Sequence, residues 1–151
     1  MSAYQLPFWV WPTALAGVCG VAAWRGDGAV RLAAAGIAVD WSICRMLFQA
    51  HSEHAPGGSM AADFGLLALY VGIALRSRRF WPLFAAGFQL LLLATHVGRM
   101  VDPELSGWAY LTAQLIWSYM VLAALACGAW TTPNYALNAA APTAPPGATL
   151  R

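Results

Sequence analysis

The sequence predicts an all-α protein, a polytopic membrane bundle of about five transmembrane helices. Three observations carry that expectation. Of 151 residues, 60% are apolar and 9% charged, where a soluble domain carries about a quarter charged residues. The apolar residues gather into five long runs separated by short polar breaks. Tryptophans mark the ends of those runs, as an interfacial belt requires. Eight basic and six acidic side chains cannot cover the surface of a soluble fold this small. Disorder and coiled coil are excluded too, since both need abundant charge or polar repeats.

The first span is expected over 8–24, ended by Arg25-Gly26-Asp27-Gly28. A cleavable signal peptide would need a basic start, yet no Lys or Arg precedes Arg25. Spans at 32–50 and 60–75 follow, separated by His51-Ser52-Glu53-His54-Ala55-Pro56-Gly57-Gly58. The fourth, 80–97, lies between Arg76-Ser77-Arg78-Arg79 and the turn at Asp102-Pro103-Glu104. That turn reads as a device for starting the next helix. The fifth, 108–130, is the longest. Crossing the hydrocarbon takes about 20 residues, so runs of about 16 to 19 are at the short end, and full crossing stays open for the third and fourth. From Thr131 to Arg151 an Ala/Pro/Thr tail with four prolines has too little apolar bulk to fold, and a disordered cytoplasmic tail is expected.

All eight basic residues are Arg, and they are unevenly placed. The first and third loops hold Arg25, Arg31, Arg76, Arg78 and Arg79; the other side holds only Arg99. The positive-inside rule puts loops one and three in the cytoplasm, with the N-terminus outside and the C-terminus inside. Trp9, Trp11, Trp24, Trp81, Trp108 and Trp130 fall at span ends. The scattered Arg residues make no basic stripe, so no nucleic-acid partner is expected. Cys19, Cys44 and Cys127 each lie in an apolar run without metal or disulfide spacing, and read as packing residues.

Small residues recur at helical spacing. Ala61, Gly65, Ala68 and Gly72 form a seam on the third span, with shorter versions at Ala16/Gly20 and Ala124/Gly128. Such seams let helix backbones approach in lipid, against this chain or another subunit.

Polar residues inside the spans are the functional pointers, because each is costly at mid-membrane. The candidates are Asp40, Arg45, Asp63, Gln89, His96 and Gln114. Asp40 stands about 14 Å past Arg31 along a helix, near the bilayer centre, and Arg45 points about 140° away from it. Asp63 shares a stripe with Tyr70, Gln89 with His96, and Gln114 with Ser118. Matching depths pair Arg45 with Asp63. A divalent metal held by His51, Glu53, His54 and His96, or a haem on two histidines, is the weaker reading. The expectation is no cofactor, with the loop histidines solvated and His96 hydrogen-bonded. P-loop, G-x-S-x-G and H-E-x-x-H motifs are absent.

Phe80-Trp81-Pro82-Leu83, with Ala86-Gly87 and His96, then Ala109-Tyr110 and Trp117-Ser118-Tyr119, resembles a pattern in small uncharacterised multi-pass bacterial inner-membrane proteins. The resemblance covers the last two spans. It implies a bacterial cytoplasmic membrane and carries no functional residue with it. The sequence favours a non-catalytic structural or accessory subunit, or a self-associating bundle, with the lipid bilayer and a homo-oligomer or larger membrane complex as partners. The alternative is a small transporter or proton relay using Asp40, Arg45, Asp63 and His96.

Overall fold

The computed structural model describes residues 9–50, 56–102, 104 and 106–140, with only the backbone at 48–50, 56–58 and 133–140. These residues form five helices: α1 Val10–Arg25, α2 Gly28–Ala50, α3 Pro56–Arg76, α4 Trp81–Val101 and α5 Gly107–Ala140. Three stretches are long and apolar enough to cross a membrane: Ser59–Arg76, Trp81–Val101 and Gly107–Thr132. Two of them are the runs that looked short. Their helices reach 21 residues each, α3 because its first turn starts at Pro56 and it ends at Arg76, α4 because it continues past Val97 to Val101. The described part of α1 has 16 residues, and α2 carries Arg31, Asp40 and Arg45, which lower its hydropathy.

Local chemistry explains the boundaries. Pro12 and Pro82 sit in the first turns of α1 and α4, where a missing N–H leaves no helical bond unmade. α2 begins four residues earlier than the apolar run because Asp27 caps it: its carboxylate accepts the Val30 N–H at 3.1 Å and its carbonyl the Arg31 N–H at 2.9 Å. The break between α1 and α2 is thus only Gly26-Asp27. Gly26 is required there, since a Cβ would meet the Val30 side chain at 2.6 Å and the Ala22 carbonyl. Before α5, Asp102 accepts the Glu104 N–H at 3.1 Å, and Ser106 Oγ accepts the Ala109 N–H at 3.2 Å. The Asp102/Glu104 pair is a turn, as its spacing suggested.

The tail starts later than the sequence indicated. α5 continues to Ala140, ten residues past the expected end at Trp130. Thr131 and Thr132 turn their hydroxyls back onto the carbonyls of Cys127 and Gly128, each at 2.8 Å. Pro133 removes one backbone bond, but Ala136, Leu137, Ala139 and Ala140 are strong helix formers and carry the helix on. Residues 141–151 lie outside the described residues.

The helices close into a ring. α1 packs on α2, α2 on α3, α3 on α4, α4 on α5 and α5 on α1, while α2 also touches α5 across the middle. One end is tied together by polar contacts. Asp27 in the first turn pairs with Arg79 in the third at 2.7 Å. The Arg25 guanidinium lies 5.0 Å from the centre of the Trp130 ring, a cation–π distance. The turns richest in Arg and the late part of α5 therefore share one end of the bundle.

Trp9, Trp24, Trp108 and Trp130 point outward, each more than half exposed. Trp11 and Trp81 turn inward instead. Trp11 meets Tyr119 edge-on, with ring centroids 5.0 Å apart, and Trp81 is buried against α5.

Of the three small-residue seams, Ala124/Gly128 is the one that packs within the chain. A Cβ on Gly128 would sit 2.7–3.0 Å from three Trp81 ring carbons. Around Gly65, Gly72 and Gly20 nothing lies within 4 Å, so the α3 seam and the Ala16/Gly20 pair face away from the bundle. Gly128→Leu should therefore lower the unfolding midpoint in mild detergent, with an overpacking cost of about 1–3 kcal/mol or more. Gly65→Leu, in open space, should leave the midpoint of the isolated chain within about 0.5 kcal/mol of wild type.

Candidate functional site: a polar cavity inside the helix ring

Each helix turns one stripe inward at three- and four-residue spacing, and polar residues interrupt the apolar ones on that stripe. On α3 the buried stripe is Asp63, Leu66, Tyr70 and Ile73; on α4 it is Trp81, Ala85, Gln89, Leu92 and His96. On α5, Tyr110, Gln114, Ser118 and Val121 continue into the buried Leu125 and Ala129. These stripes line a cavity of about 810 Å³ that draws on all five helices. Trp11 contributes from α1, and Ile37, Asp40, Trp41, Cys44 and Leu47 from α2.

The cavity lies in one half of the bundle. Ser59 and Gly107 line it from the first turns of α3 and α5, and Arg99 from the last turn of α4. Its floor is at Ile37, Leu66, Gln89 and Val121. From Gly107 to Val121 it therefore runs about 21 Å along the helix axis. It reaches the end of the bundle opposite the Asp27–Arg79 pair.

One wall carries a continuous hydrogen-bonded chain. Tyr110 Oη and His96 Nδ1 are 2.9 Å apart. His96 Nε2 lies 3.0 Å from Asp63 Oδ2. The other carboxylate oxygen, Oδ1, accepts from Gln89 Nε2 at 2.9 Å. Asp63, Gln89 and His96 are 4%, 2% and 7% exposed, so these bonds are shielded from competing solvent. With the imidazole proton on Nε2, the Asp63 carboxylate accepts from it and Nδ1 accepts from the Tyr110 hydroxyl. Gln114 stands beside that hydroxyl.

The chain has a specific chemical property. A proton arriving at Nδ1 would turn that nitrogen from acceptor to donor, and the Tyr110 oxygen, which can do either, would then accept. Both hydrogen bonds to the imidazole persist in either protonation state. The new positive charge would face the Asp63 carboxylate.

Five of the six candidates meet in this cavity: Asp40, Asp63, Gln89, His96 and Gln114 all line it. Arg45 does not. It is exposed on another face of α2, and Asp63 is held by His96 and Gln89 in its place. The two residues match in depth, but the 140° that separates Arg45 from Asp40 also carries it away from the cavity. His51, Glu53 and His54 lie outside the described residues. Among the described residues no group of three His, Cys, Asp or Glu side chains is placed to hold a metal ion. Both ring nitrogens of His96 are engaged, so a metal or haem there would have to displace Tyr110 or Asp63.

Tyr110 is the residue the sequence candidates omit. It stands four residues before Gln114, on the same face of α5, so helical spacing alone could have added it. Trp11 and Trp41 were also left out of the candidate set, because tryptophan in an apolar run reads as packing or belt.

No family model, curated protein or solved structure matches this chain. The roles of these residues rest on the geometry alone.

Proposed function

We propose that this chain is a five-span integral membrane protein of the bacterial cytoplasmic membrane. Its outward-facing cavity delivers protons, or a proton-linked small solute, to the Tyr110–His96–Asp63 chain. α1 and α2 complete the bundle with the three more apolar helices, and Asp40 is admitted because it faces the cavity. The five Arg residues near the Asp27–Arg79 end favour placing that end in the cytoplasm. The cavity then opens on the outer side. Bacterial membrane placement draws on the resemblance of the last two spans.

The observation that carries the proposal is a Tyr–His–carboxylate chain, buried yet on the wall of a polar cavity. A chain serving only to fasten α3, α4 and α5 would not need an adjoining cavity, and would be as well served by apolar packing. Intramembrane ionisable groups gathered around one space are the usual mark of an ion or proton path. The second reading is a structural or accessory subunit. It is favoured by the same bonds, since they cross-link three helices.

Two measurements test the proposal. Liposomes containing the full chain and a pH-sensitive dye should acidify under a potassium diffusion potential faster than protein-free liposomes; equal rates would sink it. With Cys19 and Cys127 changed to Ser, Cys44 should be modified in intact membranes by a charged, impermeant thiol reagent added from the outer side. Modification only after solubilisation would mean that water does not reach the cavity.

A further inference from the structure

Asp40 stands where two spaces meet. It lines the polar cavity, and it also lines a separate groove of about 390 Å³ between α2 and α3. The groove is apolar and lies on the outer surface of the ring: Leu32, Ala35, Val39 and Ile43 form its α2 side, Ala62 and Leu69 its α3 side. Leu32, Val39 and Ile43 are among the exposed large apolar side chains. Only Asp40 and Leu66 belong to both spaces. Along α2 the groove extends from Leu32 to Ile43, about 16 Å, the scale of an alkyl chain lying along the helix.

The carboxylate is incompletely satisfied. Oδ1 of Asp40 is buried and has no hydrogen-bond partner, whereas Asp63 next to it in the cavity has both oxygens occupied. A buried acceptor without a donor calls for one. The apolar groove that Asp40 also lines, on the outer surface of the ring, restricts what can supply it.

We propose that Asp40 binds the head of a single-chain amphiphile carrying a cationic, hydrogen-bond-donating group, such as a long-chain amine, whose tail lies in the α2–α3 groove. The head sits on the cavity side of the Asp40 carboxyl group, within reach of Trp41, and the tail passes beside Leu66 into the groove. Charge complementarity selects the head and the apolar lining selects the tail. The ligand enters sideways from the bilayer, whereas protons come through the cavity mouth. The inference rests on the reading of the bundle as spanning the membrane. It does not require that the Tyr110–His96–Asp63 chain conduct.

The test uses the full chain in lipid nanodiscs with dodecylamine bearing a diazirine at the end of its tail. After photolysis, labelled peptides are mapped by mass spectrometry. Label should concentrate at the end of the groove away from Asp40, on Leu32 and Leu69, and be competed by dodecylamine but not by dodecanol. Asp40→Asn should reduce it about tenfold, the loss expected if the ion pair contributes about 1.4 kcal/mol. Asp40→Glu should restore most of it, and both variants are checked for an unchanged unfolding midpoint. Label spread equally over the outer face of α4, at Leu83 and Leu90, and indifferent to Asp40→Asn would overturn the proposal. Specific labelling with no proton flux would leave this site standing and remove the relay; flux with unspecific labelling would do the reverse.

Discussion

Asp63→Ala is expected to lower the unfolding free energy in mild detergent by about 3 kcal/mol, the range seen when one partner of a buried pair is removed. The carboxylate accepts from two buried donors, Gln89 Nε2 at 2.9 Å and His96 Nε2 at 3.0 Å; Gln89 Nε2 has the Asp63 backbone carbonyl as a second, longer acceptor at 3.4 Å. Truncation leaves His96 Nε2 without its acceptor and Gln89 with only the longer bond to the residue-63 carbonyl, in a site from which solvent is largely excluded, and an orphaned donor costs about 1–3 kcal/mol. The residues belong to α3 and α4, so the loss loosens one of the main seams of the ring. Asp63→Asn keeps an acceptor oxygen and should fall between wild type and Ala. A double-mutant cycle sharpens the result. Asp63 and His96 should couple by about 1 kcal/mol or more, while Asp63 and Arg45 should be additive within about 0.5 kcal/mol. Coupling to Arg45 of the same size as to His96 would mean that the arrangement in the membrane differs from the one described here.

That contrast shows what the sequence could reveal and what it could not. Hydropathy located all five helices, because a run of apolar residues near bilayer length has few alternatives. It missed their ends by a few residues wherever a single side chain sets the boundary, as Asp27 does for α2. Periodicity placed Asp63 with Tyr70 and Gln89 with His96 on common stripes, and those stripes do face inward. Position along each helix axis was also legible, since it follows from the rise per residue. The rotation of one helix relative to its neighbours was not. Arg45 and His96 lie at similar depth, and choosing between them as partner for Asp63 requires knowing which face of α2 looks into the ring. The same ambiguity surrounds the small-residue seams. Gly65 and Gly128 each follow an alanine four residues back, yet one faces away from the bundle and the other lies beneath the Trp81 ring. The end of α5 was misplaced for a different reason. Pro133 looks like a terminator in isolation, and the helix formers that follow it outweigh the one backbone bond it removes.

Tyr110→Phe separates the two functional readings, and is expected to reduce proton flux into liposomes at least about tenfold, equivalent to about 1.4 kcal/mol on the barrier. The substitution removes one oxygen atom. His96 Nδ1 loses its only described protein partner on that side, while the bond from Nε2 to Asp63 is untouched. Stability should fall by only about 1 kcal/mol, the net value of a single hydrogen bond. His96→Gln makes the complementary change. The amide can donate to Asp63 and accept from Tyr110, but it cannot take up a proton, so it preserves the bridge while removing its chemistry. If Tyr110 and His96 act in series, each variant should lower flux to a similar level and the double variant should go no lower. This non-additivity is expected of groups that work as one unit. Wild-type flux in both variants, accompanied by a lowered unfolding midpoint, would make the chain a fastening between helices and return the protein to the structural reading.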